Sequence, residues 1–388
     1  MRRRAIAAIA VLVSACAPGG KTPASAAPPG IALVESAPIG TTLGHADLPD
    51  AADEWLAMIR GASRSIDLAE FYVSDAPQSR LHAVIDELRS AAARGVRVRL
   101  LVDEVFYAKY PETVDALGAL PGVLVRRFDV KASMGGVLHA KYFVVDGRDG
   151  YVGSQNFDWR SLEHIQEVGV RMRSEVLAGA LGSLFLADWD VAAGAPASRW
   201  EGVWKVPPVA TIAGARVTLA ASPSGYLPSE AAWDLPILIS WIDGATASVD
   251  VQLLTYRTTT RDGAPWTDLD RALRRALVRG VRVRLAISSW GAKEASLAAL
   301  ADAGCALRII TVPPWSGGDV PFARVAHAKF AVFDGDRAWV GTSNWEGDYF
   351  TKSRNVSVFI EGGGIPPRLQ AVFDDDFGGR YASGLPGR

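Results

Sequence analysis

The sequence has 388 residues, 49% of them hydrophobic, with 41 lysines and arginines against 42 aspartates and glutamates. This length exceeds that of a typical single core, so we expect two domains or two large halves. A formal charge of -1 excludes an overall field that would draw the protein to nucleic acid or to an anionic membrane, so any basic binding surface must be local.

The N-terminus has the pattern of an export signal. Three arginines at residues 2–4 precede an apolar run over residues 5–13, which is too short to span a bilayer and is followed by small residues. Residues 13–16 resemble a bacterial lipobox, which predicts a signal peptide over residues 1–15 and lipidation at Cys16. Ordinary cleavage near residues 24–26 is the alternative. We therefore expect an envelope lipoprotein on the outer-membrane or periplasmic side, or a secreted protein.

A segment rich in proline, glycine and alanine follows, without helical or strand periodicity. It predicts a flexible tether over residues 16–40. The chain has two cysteines, so acylation of Cys16 leaves Cys305 alone and excludes an intramolecular disulfide. The fold must then depend on its hydrophobic cores. The sequence shows no Cys/His spacing typical of a zinc site, and no metal is expected.

The rest of the chain contains one pattern twice. Residues 94–100 return unchanged as residues 279–285, and the pattern of residues 65–68 returns at residues 248–251. The order of these segments is the same in both halves, which predicts a duplicated domain. The predicted boundaries are residues 41–205 for the first half, residues 206–388 for the second half and residues 194–208 for the linker between them.

Helical and strand signals alternate within each half, which predicts an α/β layer architecture. Apolar residues recur at helical spacing in two segments of each half, and short runs rich in valine, isoleucine and leucine indicate buried strands. Helices are predicted over residues 53–62, 79–94, 233–242 and 269–279, and strands over residues 66–73, 96–102, 249–256 and 281–287.

Each half contains the same motif, His-x-Lys-x4-Asp, at identical spacing. Two chance matches to this pattern in one chain are rare, so the motif indicates a functional site. The alternation of residues around each motif predicts a strand whose histidine and lysine point to the same face. The motif residues are His139, Lys141 and Asp146 in the first half, and His327, Lys329 and Asp334 in the second half.

The paired motifs supply the groups that cleavage of a phosphodiester needs. Attack at phosphorus requires a nucleophile, the departing oxygen requires an acid, and the non-bridging oxygens require cations or hydrogen-bond donors. One histidine cannot be the neutral nucleophile and the proton donor in the same step, so the two halves must meet at one shared cleft. Further donors follow the motifs: Ser154 and Asn156 in the first half, Ser343 and Asn344 in the second.

These motifs resemble those of the phospholipase D superfamily. Longer stretches are similar to the animal branch called phospholipase D3 and D4, over about residues 36–381. The resemblance implies two homologous α/β/α halves packed with pseudo-twofold symmetry around one active site, a covalent phosphohistidine and no cofactor. It also implies removal of nucleotides from the 5' end of single-stranded nucleic acid, or lipid transphosphatidylation. The similar stretches are residues 137–141, 157–162, 289–291, 323–325, 341–345 and 348–350.

The resemblance also implies a role for each motif residue. We assign His139 as the nucleophile and His327 as the acid that protonates the leaving oxygen and then activates water. Glu167 occupies a position where the superfamily often places a carboxylate that orients a histidine, whereas the second half has Asn355 there. An imidazole backed by Glu167 is favoured as the base or nucleophile. The residues expected to hold the phosphoryl oxygens are Lys141, Lys329, Asn156, Asn344, Ser154 and Ser343.

Two sets of residues have a structural as well as a functional interpretation. Asp146 and Asp334 either orient the imidazoles or form structural ion pairs. Four tryptophans near the similar stretches either stack nucleobases or pack in a core. These tryptophans are Trp159, Trp290, Trp315 and Trp345.

Three functions compete. A phosphodiesterase acting on single-stranded DNA or RNA is favoured by the resemblance and by the tryptophans near the motifs. A phospholipase or phosphatidyltransferase is favoured by the predicted lipid anchor, which would hold the enzyme at a membrane. A non-catalytic envelope binding protein would be expected to carry a degenerate motif, whereas both motifs are intact here. The sequence does not indicate an oligomeric state.

Overall fold

The computed structural model describes residues 30–386 of the chain. The predicted signal peptide, Cys16, the alternative cleavage site and the tether before residue 30 lie outside these residues. Within residues 30–386, no helix is both long enough and apolar enough to cross a membrane.

A seven-stranded mixed sheet forms the centre of the first half. The strands of this half are β1 (Ile31–Ser36), β2 (Ser65–Glu70), β3 (Val73–Ser74), β4 (Arg97–Asp103), β5 (Val123–Phe128), β6 (Tyr142–Val145), β7 (Asp149–Gly153), β8 (Phe157–Asp158) and β9 (Glu167–Arg173). The strand order is β1-β9-β7-β6-β2-β4-β5, while β3 and β8 pair separately. The helices are α1 (Ala51–Arg60), α2 (Arg80–Ala93), α3 (Glu104–Tyr107), α4 (Glu112–Gly118), α5 (Val130–Met134), α6 (Trp159–Glu163) and α7 (Glu175–Val191).

The second half repeats this arrangement. Its strands are β10 (Val209–Ile212), β11 (Ala215–Ser222), β12 (Ser248–Leu253), β13 (Arg282–Ser288), β14 (Ala306–Ile310), β15 (Phe330–Phe333), β16 (Arg337–Gly341), β17 (Asn355–Glu361) and β18 (Ala382–Ser383). The order β11-β17-β16-β15-β12-β13-β14 matches that of the first sheet, with β10 and β18 added at the edges. The helices are α8 (Asp234–Asp243), α9 (Asp268–Val278), α10 (Ala295–Asp302), α11 (Gly347–Thr351) and α12 (Ile365–Gly378).

One hydrophobic core joins the two halves. It contains buried residues of α7 and α12 together with residues from both sheets, such as Leu184, Val170, Leu369 and Val358. Two further cores lie within single halves, one under α1 and α2 and one under α8 and α9. Burial of each large apolar side chain contributes about 1.5–3 kcal/mol, so the shared core fixes the halves against each other. The α/β fold with two homologous halves is confirmed.

The predicted helices and strands all occur, with shifts of one to three residues at most ends. Helix α1 begins two residues before its predicted start because Asp50 caps it, accepting hydrogen bonds from the backbone N–H of Ala52 and Asp53. The strand predicted over residues 66–73 ends at Glu70, and the one predicted over residues 249–256 ends at Leu253. The chain leaves each sheet at these points.

The strand predicted through each motif begins later than expected. Strand β6 starts at Tyr142 and β15 at Phe330, so the histidines and lysines lie in extended segments just before these strands. The backbone N–H of His139 bonds to the carbonyl of Arg354 in the second half, at an N···O distance of 2.9 Å. Because part of the backbone pairs with the other half, the motif residues are placed at the seam between the sheets.

The tether predicted over residues 16–40 is wrong from Ile31 onward. Strand β1 pairs antiparallel with β9 along its whole length and forms an edge of the first sheet. Its apolar run buries Ile31, Leu33 and Val34, and that burial outweighs the entropy of a free segment. The predicted linker over residues 194–208 lies between α7 and β10, and its Trp204 is buried in the shared core.

Candidate active site

The two motif histidines meet at one cleft. His139 and His327 are 5% and 9% exposed, and both line a cavity of about 350 Å³. Each is held by the opposite half, since the backbone N–H of His327 bonds to the carbonyl of Gln166 at 2.8 Å, as His139 does to Arg354. The shared cleft predicted from the duplicated motif is therefore present.

Each imidazole is oriented by a side chain from the other half. Nδ1 of His327 hydrogen-bonds Glu167, and Nδ1 of His139 lies 3.1 Å from Oδ1 of Asn355. The Asn355 amide nitrogen donates to the carbonyl of Tyr349 at 2.8 Å, which leaves its oxygen to accept from His139. With both Nδ1 atoms engaged, Nε2 of each ring is the atom free to react. Glu167 thus orients a histidine, as predicted, and that histidine is His327.

Two buried charge clusters hold the residues just before these orienting side chains. In the first, Arg354 makes a bidentate ion pair with Asp188 of α7, with Nε···O distances of 3.0 and 2.9 Å. In the second, Asp376 of α12 accepts hydrogen bonds from Gln166 at 2.9 and 2.7 Å and from Gln252 at 2.9 Å. The two aspartates occupy equivalent helices, but one faces a cation and the other faces neutral amides.

The motif lysines are completely buried beside the histidines. Lys141 and Lys329 are 1% and 0% exposed, and each Nζ donates to the carbonyl of the histidine two residues before it. Burial lowers the pKa of Lys141 to about 7 and that of Lys329 well below its usual value. Burial, together with the two lysines, also lowers the pKa of both histidines. A bound phosphodiester would add an anion beside these lysines and histidines and favour their charged forms.

The asparagines and serines after the motifs differ in their availability. Asn156 lines the cleft, and Oδ1 of Asn156 and of Asn344 has no hydrogen-bond partner among residues 30–386. The hydroxyl of Ser154 instead bonds the backbone of Val168, accepting from its N–H at 3.2 Å, so it is not a free phosphate donor. Ser343 is buried, and its hydroxyl has no partner within the described part of the chain. Only an N–H or O–H can donate to a phosphate oxygen, so the candidates are the amide nitrogens of Asn156 and Asn344 and the hydroxyl of Ser343, and Ser154 is not one.

The motif aspartates have a structural role, and of their two interpretations the one in which they orient the imidazoles is wrong. Both carboxylate oxygens of Asp146 accept hydrogen bonds from the turn before β2, from the backbone N–H of Ser63, Arg64 and Ser65 at 2.7–3.0 Å. Asp334 does the same for residues 246–248 before β12. Burial raises the pKa of Asp146, but these hydrogen bonds outweigh it and lower the pKa to about 2. Neither aspartate contacts an imidazole.

An aromatic wall lines the first-half side of the cleft. Ring centroids of Tyr72 and Tyr110 lie 5.0 Å apart, and those of Phe71 and Phe106 lie 3.8 Å apart. Nζ of Lys109 lies 4.3 Å from the centroid of Phe106. Sequence reasoning missed these residues, although a signal was available: they follow β2 and β4, which are parallel neighbours whose carboxyl ends meet at one sheet edge. We call Phe71, Tyr72, Phe106 and Tyr110 the aromatic wall.

An apolar rim lines the second-half side. Trp290 and Phe322 are 52% and 74% exposed, and both contribute to the cleft. Phe322 has a φ of +58°, a left-handed conformation that is uncommon for a bulky residue. The carbonyl of the preceding Pro321 accepts a hydrogen bond from Arg160 at 3.2 Å, which ties this loop to the first half. The loop therefore presents Phe322 to solvent at the cleft mouth.

Of the four tryptophans, only Trp290 lines the cleft. Trp345 is 0% exposed and packs against Trp339 in the second-half core, so stacking of bases on Trp345 is wrong. Trp159 and Trp315 are partly buried and pack around His164, with centroid distances of 5.5 and 4.9 Å. Trp345 follows the motif residue Asn344 in sequence, but its side chain points into the core of the second half and not into the cleft.

The chain matches two family models. Residues 50–303 match the model described as PLD3/4, PLD-like domain. Residues 238–377 match the model described as cardiolipin synthase, PLD-like domain. The two matches together extend over both motifs.

Similar proteins agree with these matches. The chain is 33% identical over 396 residues to a Homo sapiens protein named 5'-3' exonuclease PLD3, a match that covers 91% of this chain and 80% of that protein. It is 30% identical to phospholipase D Z of Dictyostelium discoideum, covering 91% and 90%. Among solved structures, phosphatidylserine synthase of Haemophilus influenzae Rd KW20 has a TM-score of 0.63 at 11% identity, covering 86% and 85%, which shows a common fold.

Proposed function

The chain belongs to the phospholipase D superfamily and, within it, to the PLD3/4 branch, and on this basis we propose that it cleaves single-stranded nucleic acid from the 5' end through a covalent phosphohistidine. Superfamily membership makes it a phosphodiesterase-type enzyme. The relatives of the PLD3/4 branch are named 5'-3' exonucleases, which supports a nucleic acid substrate.

The aromatic wall carries this proposal. Stacking of a base on an aromatic side chain contributes about 1–3 kcal/mol and tolerates any base, since every base has a π-face. Tyr72 and Tyr110 stack within the same cleft as both catalytic histidines, and Lys109 adds a positive charge at its edge. A strand with unpaired bases can place a base on this wall and the adjoining phosphate between the imidazoles, which a duplex cannot do without melting.

The contact between Glu167 and His327 favours His327 as the nucleophile, the reverse of the assignment made from sequence. An attacking imidazole gains positive charge in the transition state, and a carboxylate on Nδ1 stabilises that change. An acid loses positive charge, so a neutral partner such as Asn355 does not hold back its proton. His139 is then the acid.

The reaction follows from this assignment. Nε2 of neutral His327 attacks phosphorus, the bond to the leaving oxygen breaks, and that oxygen takes the proton from Nε2 of His139. Water then attacks the phosphohistidine, His139 accepts its proton, and the P–N bond breaks. Lys141, Lys329, Asn156 and Asn344 hold the non-bridging oxygens through both steps.

Oligonucleotides with free or blocked 5' ends test the proposal directly. We expect nucleotide release from free 5' ends of single strands, and none from duplexes. Tyr110→Leu should raise KM for the oligonucleotide about tenfold, the loss of one stacked base, while leaving kcat for bis(p-nitrophenyl) phosphate unchanged. Tyr107→Leu is the matched control, because Tyr107 lies in the same segment but outside the cleft and bonds Asp115. Absence of cleavage of every oligonucleotide would remove the proposal.

A phospholipase or phosphatidyltransferase is the second candidate function. The exposed side chains of the apolar rim favour it, because Trp290 and Phe322 would insert readily among acyl chains. Release of head groups from phosphatidylcholine and phosphatidylglycerol vesicles, with and without an alcohol acceptor, measures it. A non-catalytic envelope binding protein is disfavoured by the intact pair of oriented imidazoles.

We further propose that the protein is exported and lipidated at Cys16, which would hold the cleft near a membrane. The support is the sequence of residues 1–16. Labelling with radioactive palmitate in a bacterial host should mark the wild type and not Cys16→Ser. Equal labelling of both, or release of both into the medium, would contradict the anchor.

A further inference from the structure

The two motif lysines have different neighbours across the sheet. In the antiparallel pairing of β2 with β6, Ala69 is opposite Tyr142. Glu70 and Lys141 are the next residues beyond this pair; the same register continued by one position brings them opposite each other, and the charge of each acts on the other. In the second half Gln252 is opposite Phe330, which sets Leu253 opposite Lys329. Directly opposed residues have Cβ atoms about 4.5–5.5 Å apart on one face. The duplication is therefore broken at this position by a carboxylate.

Glu70 is buried without a hydrogen-bond partner for its Oε2 atom. It is 2% exposed, and this oxygen has no partner among residues 30–386. Burial raises the pKa of Glu70 well above its usual value, and the only opposing influence is the charge of Lys141. A buried carboxylate is costly unless a cation faces it. The cation that faces Glu70 is Lys141.

Other charged groups near Lys141 are already engaged. Three carboxylates act on it: Glu70 from β2, Glu167 from β9 and Asp103 from the end of β4. Glu167 hydrogen-bonds His327, and Asp103 accepts from the backbone N–H of Leu138 and Phe106 at 2.7 and 3.1 Å. The remaining neighbours, His139, His327 and Lys329, are basic. Glu70 is thus the carboxylate left to pair with Lys141.

We propose that Glu70 is a positioning residue that favours the protonated form of Lys141 and directs its ammonium at the phosphoryl oxygens, so that at and below neutral pH Lys141 is the charged lysine of the substrate-free site. The inference deepens the proposed phosphodiesterase function and rests on it. Lys329 faces Leu253 and has no carboxylate at this position. The carboxylate that acts on Lys329, Glu167, already hydrogen-bonds His327, so Lys329 gains its charge when the phosphate binds. The two motif lysines then have different roles: Lys141 is charged before the substrate binds and attracts it, whereas Lys329 becomes charged on binding.

Three substitutions test the role of Glu70. Glu70→Gln keeps the shape and removes the charge, Glu70→Leu copies the environment of Lys329, and Glu70→Asp keeps the charge. We expect the first two to lower kcat/KM for a labelled oligonucleotide at pH 7.5 about tenfold and to move the basic limb of the pH profile about one unit lower. Glu70→Asp should retain most of the wild-type kcat/KM and most of the wild-type position of the basic limb. The control is Asp67→Asn, which removes a carboxylate of the same strand that pairs with Arg99 away from the cleft.

The pH profile separates positioning from a merely structural role. A Glu70→Gln protein whose rate falls equally at every pH, or whose profile matches the wild type, overturns the inference. Calorimetry from pH 6 to pH 9 measures the binding of inorganic phosphate and so gives a readout that does not depend on turnover. Weaker binding by Glu70→Gln above pH 7 supports the inference even if no substrate is cleaved, in which case the proposed function alone fails. Unchanged phosphate binding counts against it.

Discussion

The carboxylate of Glu167, in the first half of the chain, hydrogen-bonds Nδ1 of His327 in the second half. The equivalent contact of His139 is to the neutral amide of Asn355. The two imidazoles therefore have unequal partners, and the proposed roles of His327 as nucleophile and His139 as acid rest on this inequality.

The first prediction concerns the covalent intermediate. A p-nitrophenolate leaving group needs little protonation, so His139→Ala should still undergo the first step with bis(p-nitrophenyl) phosphate. It should then accumulate the intermediate, because no base activates water. Mass spectrometry after quenching at high pH, where phosphohistidine survives, should find the phosphoryl group on the peptide that contains His327. His327→Ala should give no adduct.

A phosphoryl group on His139 in the His327→Ala protein would restore the assignment made from sequence. With oligonucleotides, both single variants should lose at least about 10³-fold in kcat, and the double variant should be no worse, because residues that act as a unit are non-additive.

The second prediction is a bell-shaped dependence of kcat/KM on pH. The nucleophile must be neutral, and burial lowers the pKa of His327, so the acid limb should lie below about pH 6.5. The acid His139 and Lys141 must both be protonated. Burial lowers the pKa of His139 well below its usual value and that of Lys141 to about 7, so activity should fall from neutrality or below. Rates that continue to rise above pH 8 would show that these groups are not required in their protonated forms.

The third prediction separates the motif aspartates from the chemistry. Asp146→Asn weakens four hydrogen bonds to the turn before β2 and should lower the free energy of unfolding by roughly 2–3 kcal/mol. Below the unfolding transition its kcat should stay within about twofold of wild type, because the carboxylate touches no imidazole. Urea unfolding measures the loss of stability, and kcat at 20 °C measures the retained activity. A stable but inactive Asp146→Asn protein would return this residue to the catalytic set.

The fourth prediction follows from the buried carboxyl of Asp376. Burial raises its pKa from 3.8 to about 7, and hydrogen bonds from Gln252 and Gln166 only partly offset this. Between about pH 4 and pH 7 the unfolded chain has lost a proton that the folded protein keeps, so stability falls as pH rises through this window and is level above it. The free energy of unfolding of Asp376→Asn, minus that of the wild type, should therefore increase by on the order of 3 kcal/mol from pH 4 to pH 8. Chemical unfolding of both proteins at several pH values measures this difference. A difference that stays the same at every pH would contradict the prediction.

The fifth prediction is that turnover is insensitive to EDTA. Two buried lysines and two asparagines supply the charge and hydrogen bonds that a metal provides in other phosphodiesterases. We expect equal rates before and after dialysis against the chelator, with a magnesium-dependent nuclease as the positive control. Loss of activity that returns on adding a divalent cation would show that these groups do not suffice.

Much of the site could be predicted because its residues recur at equal spacing. The pairing of His139 with His327 in one cleft required only the duplication and the chemistry of the reaction. The error at Asp146 was avoidable, since five residues along a strand separate it from Lys141 by roughly 16 Å, too far to share a contact.

The contact of Glu167 with His327 joins residues 160 positions apart, and its choice of histidine depends on how the sheets cross at the seam. No local pattern encodes that crossing. The exposure of Phe322 could not be predicted either, because no local pattern encodes its left-handed backbone or the hydrogen bond between Arg160 and Pro321. Strand β1 was missed for a simpler reason: its short apolar run follows a low-complexity segment that had been extended too far.

The backbone N–H of each motif histidine donates a hydrogen bond to a carbonyl of the opposite half. Neither half can hold its own histidine in place without the other half. Assembly of the two halves and formation of the active site therefore occur together. A fragment produced by cutting the chain between α7 and β10 would become an enzyme again only by rejoining its counterpart, and the rate at which activity returned would depend on the concentration of both pieces.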